Sequence, residues 1–442
     1  MSEDSVSGGV EELLALPLHG GKPDPTRLAA FCRPWLETPW LANLDAIKLT
    51  GSNGKGSVAA MTAAILEAAG VRVGLYTSPH LVDFRERIRT GGMNADAMIR
   101  SEDLEKTLAD VGRLAPRPIS TLSFFEAATA VALAYFCETQ PDVVIAEAGL
   151  GGRFDPVRLF SGRRAALVSI DLEHTAILGN TLETIAWDKA HLVNEGGVLF
   201  LGSDIPASVS EIVHDVCRQR GATTQESTCR VEKIQYREGR MTVDLSFREQ
   251  YWQDVDVALA GDHQARNLAL AVTLAVDWLA EHRLAEHRPG LTAERLESFV
   301  RQGLGNVQWP CRLERIADDP PVWVDAAHTP RAMQALAGSV RQLLGDRVVL
   351  LTGASQDKKP DVLLPPLLDL AAHVVVSRAQ HRGMNVDDVT RAVVEHAPEL
   401  PCVTEEDLAS ALDMTRRVAT REGLSVLVAG GLFLAAEARR LI

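Results

Sequence analysis

An α/β fold with parallel sheets in two domains is what this sequence predicts, on three observations. Short apolar runs of strand length alternate with longer runs at helical spacing. The first strand-like run passes through a glycine-rich turn into an Ala-rich helical pattern. A second series of strand-like runs begins after about residue 307. At 442 residues the chain is too long for one ordinary core, so two domains are expected. The division is drawn as 1–306, a doubly wound parallel sheet with a small β insert, and 307–442, a smaller α/β domain.

Taken in order, LDAIKLT at 44–50 reads as a buried strand, and Ser57 to Ala69 as a helix stopped by Gly70. VRVGLYTS is a second strand, and SFFEAATAVALAYFCET carries an apolar face at helical spacing. DVVIAEAGLGG is a strand entering another glycine turn. AALVSIDLEH is a further strand, TLETIAWDKAHLV a helix opened by Thr181, and GGVLFLGS one more strand. RVEKIQYREGRMTVDLSFRE alternates with period two around a glycine-containing turn, as a β-hairpin does. HQARNLALAVTLAVDWLAEH is helical, whereas EHRLAEHRPG is polar and RQGLGNVQWP has the texture of a linker. PVWVDAAH, DRVVLLTG, HVVVSR and LSVLVAGG supply the strands of the second domain.

Composition narrows the function classes. A formal net charge of −14 argues against a nucleic-acid partner, which needs a basic face. At 46% hydrophobic and 24% charged the chain reads as soluble and globular. LSVLVAGGLFLAA is too short and glycine-rich to span a membrane, and MSEDSVSGGVEELL is too polar for a secretory signal. Six scattered cysteines without a C-x-x-C pair fit reduced thiols. A cytoplasmic protein is expected.

GSNGKGS at 51–57 lies between a strand and a helix, which is the geometry of a phosphate cradle. Backbone N–H groups and the positive end of the helix dipole would face the anion. Lys55 would reach the terminal phosphates and Ser57 would ligate Mg2+. The alternative is a plain glycine turn with a solvated lysine. Four residues separate the glycines in the ordinary P-loop, and Ser or Thr follows Lys directly; here the spacing is shorter and Gly56 intervenes. Glu147 ends the strand DVVIAEAG, where ligands bind in parallel sheets, and a hard carboxylate there suits Mg2+. His174 also follows a strand, but a lone histidine is more often structural. Lys189, by its own pattern, is an exposed helix cation. Asp325 and His328 follow the strand PVWV, where an aspartate can serve a ribose or a metal. The glycines of VAGG at 428–431 are weak alone.

Together these stretches resemble one family. TGSNGKGS, TSPHLVDFRERIRTGG, SFFEAAT, EAGLGGRFD, GDHQARN, WPCRLE and VDAAHTP are similar, in order, to motifs of folylpolyglutamate synthase/dihydrofolate synthase, the folate branch of the Mur-type ATP-dependent amide ligases. The resemblance implies a P-loop ATPase-like first domain and a Rossmann-like second. It implies an enzyme in which ATP phosphorylates a carboxylate and the amine of L-glutamate attacks the acyl phosphate, with ATP, two Mg2+ ions and a pteroate or folate-like acid as the small molecules. By resemblance Asn53, Gly54, Lys55, Gly56 and Ser57 hold the triphosphate. Ser57, Ser78 and Glu147 bind one Mg2+, and His174 with Glu147 serves a second. Lys189 matches a lysine that can be carbamylated into a metal ligand, which reverses its reading as an exposed cation. Asn267, Arg312 and Asp325 match ATP-contacting positions, and His328 lies near nucleotide and glutamate. Ser123, Phe124, Phe125, Glu126, Phe154 and Asp155 line the acid site. Lys55, His174, Lys189 and His328 are the catalytic candidates, and a monomer is the expected state.

The chain departs from the family's pattern in places. PVRLF follows GGRFD where a small residue, Thr and Asn are usual. EH stands for DH before His174, DKAHL for EKAGI, WPCR for WPGR and DAAHTP for DGAHNP. These changes cluster around the acid and the second metal. They keep open a divergent ligase acting on another carboxylic acid. A non-catalytic nucleotide-binding homologue and an ordinary P-loop kinase or motor are the remaining alternatives.

Overall fold

The apolar run IKLT forms strand β1, Ile47–Thr50, with all four residues buried, as a central strand covered on both faces requires. The computed structural model describes residues 8–18, 25–92, 95–237, 239–285 and 292–442. Around β1 stand β2 (Val73–Tyr76), β3 (Ile88–Thr90), β4 (Val143–Glu147), β5 (Arg164–Ser169), β6 (Val198–Asp204) and β7 (Thr223–Glu226). Their order is β3-β2-β4-β1-β5-β6-β7, parallel throughout except for β2 with β3. The edge strands β3 and β7 escape a sequence reading because one has three residues and the other, TTQE, is polar and partly exposed. Lys48 in β1 is fully buried, and its Nζ donates to Asn194 Oδ1 at 2.7 Å. Burial pushes that ammonium down to about 7.

The helix Phe124–Thr139 begins with a capping box. Ser123 receives the Glu126 N–H, and the Glu126 carboxylate receives the Ser123 N–H. Sequence periodicity predicts one apolar face, yet Phe124 and every residue from Glu126 to Phe136 are buried. The reason is a second cover: Leu28, Phe31, Cys32 and Trp35 of the helix Pro25–Leu36 join the same core cluster.

RQGLGNVQWP is not a linker over its first part, because the helix Ala293–Asn306 runs through it. Gly303 explains the texture. A Cβ there would lie 2.6 Å from Ile65 Cα, in the backbone of the helix Lys55–Ala68. Gly303→Ala is therefore expected to destabilise by about 1–3 kcal/mol, as overpacking against a backbone does, read as a lowered midpoint in denaturant unfolding. An unchanged midpoint would show that the two helices part freely. The polar stretch 281–290 lies partly outside the described residues.

The expected hairpin is three-stranded: β8 (Cys229–Arg237), β9 (Arg240–Phe247) and β10 (Gln250–Val257), in the order β10-β9-β8. Glu238, in the turn between the first two strands, lies outside the described residues. The sequence reading missed β10 because only Trp252, Val255 and Val257 of QYWQDVDV are buried, an imperfect alternation. A last sheet contains β11 (Glu314–Asp318), β12 (Pro321–Val324), β13 (Val348–Thr352), β14 (Ala371–Val376), β15 (Cys402–Thr404) and β16 (Val426–Ala429). Its order is β11-β12-β16-β13-β14-β15, parallel except for β11 with β12.

By contacts the chain forms two units. The first contains Met1–Arg230, Ser246–Gln250 and Arg266–Leu304, and the second Val231–Leu245, Tyr251–Ala265 and Gly305–Ile442. Among the described residues no helix is long and apolar enough to cross a membrane.

Candidate active site

In the first unit the glycine turn joins the C-terminal end of β1 to the helix Lys55–Ala68. Gly54 is the N-cap in the left-handed region, φ 84°. A Cβ on Gly54 would also meet Asn267 Oδ1 at 2.4 Å, so glycine is required on both counts. Ser169, the last residue of β5, braces the loop: its Oγ accepts from Asn53 N at 2.8 Å and donates to Asn53 O at 2.9 Å. Ser52 does the same across Asp171, accepting from its N–H at 2.9 Å. Lys55 folds back over the loop, its Nζ donating to Gly51 O at 2.8 Å. Ser57 is buried in the first turn of the helix. Such a loop presents N–H groups to an anion at a helix N-terminus.

Glu147 ends β4, the neighbour of β1, and is 4% exposed. Its Oε2 accepts from Ser78 N at 3.0 Å, so two of the expected metal positions meet. Thr50 ties β1 to the second glycine turn by donating to Gly151 O at 2.6 Å. Among the described residues no three His, Cys, Asp or Glu side chains gather as a metal cage. One carboxylate with two hydroxyls beside a phosphate cradle is donor chemistry that suits Mg2+, which keeps water and phosphate oxygens as its other ligands.

Lys189 is not the exposed helix cation of its sequence pattern. It is 2% exposed in the helix Leu182–Ala190, and its Nζ lies 2.7 Å from Glu173 Oε1. Burial lowers the Lys189 pKa, with Glu173 opposing and Lys55 assisting. For Glu173, burial favours the neutral acid, but Lys55 and Lys189 outweigh it and hold the carboxyl below its ordinary value. His174, next to Glu173, is exposed in the left-handed region at φ 45° and caps the short helix Thr175–Leu178.

The residues expected to line the acid site are largely engaged with the protein. Arg27 Nη2 donates to both Glu126 oxygens, at 2.6 and 2.7 Å, and Ser123 Oγ donates to Oε2 at 2.7 Å. Burial raises the Glu126 pKa, but these donors prevail and keep it low. Asp155 accepts from Leu150 N at 2.9 Å and Val157 N at 3.0 Å, and burial pushes it up to about 6. It caps the short helix Pro156–Leu159, the structural outcome of the unusual PVRLF. Phe124 is buried, Phe125 half-buried beside Gly149, and Phe154 41% exposed. Arg153 lies 4.7 Å over the Phe154 ring and 4.8 Å over the Trp187 ring.

In the second unit Asp325 follows β12 and is locked by its neighbours. Leu313 N donates to Oδ2 and Ala327 N to Oδ1, both at 2.7 Å. Burial raises the Asp325 pKa and Arg312 opposes it. Half-buried Arg312 donates to Cys311 O at 3.0 Å. His328 is exposed, with Nδ1 3.0 Å from Ala326 O, which keeps the proton on Nδ1. The sequence reading did not assign Ser169, Glu173 or Asp188, whose Oδ1 accepts from Gly152 N at 2.9 Å. Ser169 lies within a strand and Asp188 within a helix, so no local pattern marks either of them.

Comparison with known proteins bears on this arrangement. Residues 49–275 match the Mur ligase middle domain, and residues 311–432 the Mur ligase, glutamate ligase domain. A dihydrofolate synthase/folylpolyglutamate synthase of Bacillus subtilis is 30% identical over 334 residues, 75% of this chain and 76% of the relative. A probable bifunctional folylpolyglutamate synthase/dihydropteroate synthase of Halobacterium salinarum is 33% identical over 97% of this chain. The chain spans 50% of that relative's length and 45% of its Haloferax volcanii counterpart. The folylpolyglutamate synthase of Mycobacterium tuberculosis complexed with ADP superposes with a TM-score of 0.85 at 28% identity, over 98% of this chain and 97% of that one.

Proposed function

This chain belongs to the folylpolyglutamate synthase/dihydrofolate synthase family of Mur-type ligases, and from that premise we propose that it joins L-glutamate to a pteroate or folate acid at the expense of ATP. The observation that carries this reading is the Gly54–Lys55–Gly56–Ser57 cradle set one strand away from the Ser78–Glu147 pair. A carboxylate is a poor electrophile because its leaving group would be oxide. Transfer of the γ-phosphoryl group to a carboxylate oxygen gives an acyl phosphate and ADP. The glutamate amine then adds to the acyl carbon, loses a proton and expels phosphate.

In this reading Asn53 to Ser57 bind and orient the triphosphate, and Lys55 swings from Gly51 O onto the phosphates. Ser57, Ser78 and Glu147 would hold one Mg2+, and His174, Glu147 and a carbamylated Lys189 a second. Bound there, Mg2+ would neutralise phosphate charge as it moves. Asn267, Arg312 and Asp325 serve the nucleotide, with residues 307–442 as the ligase domain and 1–306 as the nucleotide domain. His328 serves glutamate, and the protein acts as a cytoplasmic monomer.

A second reading, the same chemistry on a different acid, is favoured by one observation. Glu126 and Asp155 are engaged by Arg27, Ser123 and backbone N–H groups, so they serve the wall of the site before they serve a pterin. The deciding assay measures ADP release with ATP, Mg2+ and L-glutamate, comparing dihydropteroate with tetrahydrofolate. Acid-dependent ADP with a product heavier by one glutamyl unit is expected. A folded, ATP-binding protein silent with both acids would transfer the assignment to the second reading.

A further inference from the structure

Arg87 has no part in the roles above, yet it sits among them. It closes the short helix Phe84–Arg87 just before β3, and its carbonyl accepts from Thr77 N at 3.0 Å, one residue before Ser78. The side chain turns inward and is 5% exposed. Nε donates to His80 Nδ1 at 2.7 Å, and the guanidinium lies 5.0 Å over the Phe124 ring. Nη1 is buried and has no hydrogen-bond partner. Tyr76, Glu147 and Glu86 support the guanidinium's charge, but an N–H left unpaired in the interior is still costly, so Nη1 calls for an acceptor from outside the chain.

The pair defines what that acceptor is. An imidazole that accepts at Nδ1 carries its proton on Nε2 when neutral, so Arg87 sets His80 as a second donor. Phe84 and Phe124 meet the half-buried His80 ring edge-on at 6.1 and 6.4 Å. Two donors within aromatic walls suit the oxygen of a planar aryl acid, and a guanidinium fork matches a carboxylate. The guanidinium feels the charge of Glu147, which itself accepts from Ser78 N, and this puts that oxygen on the reacting side of the acid.

We propose that Arg87 and His80 form a two-donor clamp for the carboxylate that the enzyme activates. The inference rests on the ligase reading and adds to it the residues that read the acid's reacting end. Both act as substrate-binding groups.

The test is equilibrium binding of dihydropteroate and tetrahydrofolate to the full chain, with Mg2+ and a non-hydrolysable ATP analogue. Arg87→Met is expected to weaken acid binding about 30-fold, the size of a lost hydrogen bond to a charged group, with the analogue's affinity unchanged. Arg87→Lys should behave like Arg87→Met, since an ammonium cannot hold both directions. His80→Leu should lose about 10-fold, and His80→Gln should restore binding because its amide both accepts from Nε and donates outward. The histidine variants keep the test decisive if an arginine variant misfolds, because position 80 is half-exposed. Wild-type acid affinity in both Arg87→Met and His80→Leu would overturn the clamp alone and leave Arg87 a water-satisfied structural cation. A wild-type protein that binds the ATP analogue but neither acid would overturn the pterin reading, and the clamp for it as well.

Discussion

Lys55→Ala is expected to lower ATP turnover by at least about 10²–10³-fold, the cost of removing one preorganised charge from a phosphoryl-transfer site. The fold should survive. Lys55 Nζ hydrogen-bonds to loop carbonyls, Gly51 O at 2.8 Å and Ser52 O at 3.5 Å, and its charge both attracts Glu173 and opposes Lys189, while the turn itself is held by Ser169, Ser52 and the positive-φ glycine Gly54. Loss of those two contacts should change unfolding free energy by no more than about 1 kcal/mol. ADP release and thermal unfolding, measured on the same preparation, separate the two effects. Normal turnover would remove the phosphate-cradle assignment. A large loss of stability would mean that the lysine is a structural strut of the turn.

The contrast between Lys55 and Lys189 shows what a sequence discloses. The cradle is local. Strand, glycines, lysine and helix lie within a few residues, so spacing alone exposes it. The interior parallel strands of both sheets were legible for the same reason, as contiguous apolar runs such as VVIAE and VVLLT. Edge strands β3, β7, β11 and β15 were not, because pairing rather than apolarity makes them strands. Lys189 looks like any helix cation until the fold brings Glu173 to it from the end of another strand. The EH at 173–174 reads as a minor departure in sequence, yet its glutamate is the partner that makes burial of Lys189 tolerable. Ser169 is likewise anonymous in SIDLEH, and only β5 beside β1 brings its hydroxyl to Asn53. Long-range pairings of this kind carry no spacing signal.

Lys189 therefore separates two roles that one substitution pattern can distinguish. As an ion-pair member it needs only a cation facing Glu173, and Lys189→Arg should retain activity. As a carbamate precursor it needs a neutral amine that attacks CO2, and arginine should be as inactive as alanine, by about 10²-fold or more. The environment favours the second role. Burial lowers the Lys189 pKa and so raises the fraction of free amine, and carbamylation would replace a buried cation by a metal-ligating anion. That exchange would place two anions together at Glu173, which only bound cations could offset, so activity should fall on depletion of bicarbonate and return on its addition. Full activity in Lys189→Arg, with no response to bicarbonate, would leave the ion pair as the whole role. Acid titration gives an independent check. Glu173 has a folded pKa below its ordinary 4.5, so its contribution to stability is complete above that value and is lost as pH falls through the folded value. Glu173→Gln should abolish that acid-side slope and leave Lys189 buried with only the weaker attraction of Asp188. The folded Lys189 pKa would then fall further, and stability would rise with pH over a wider window below the unfolded lysine value. A Glu173→Gln protein with wild-type acid and alkaline profiles would mean that the pair contributes no net charge coupling to the fold.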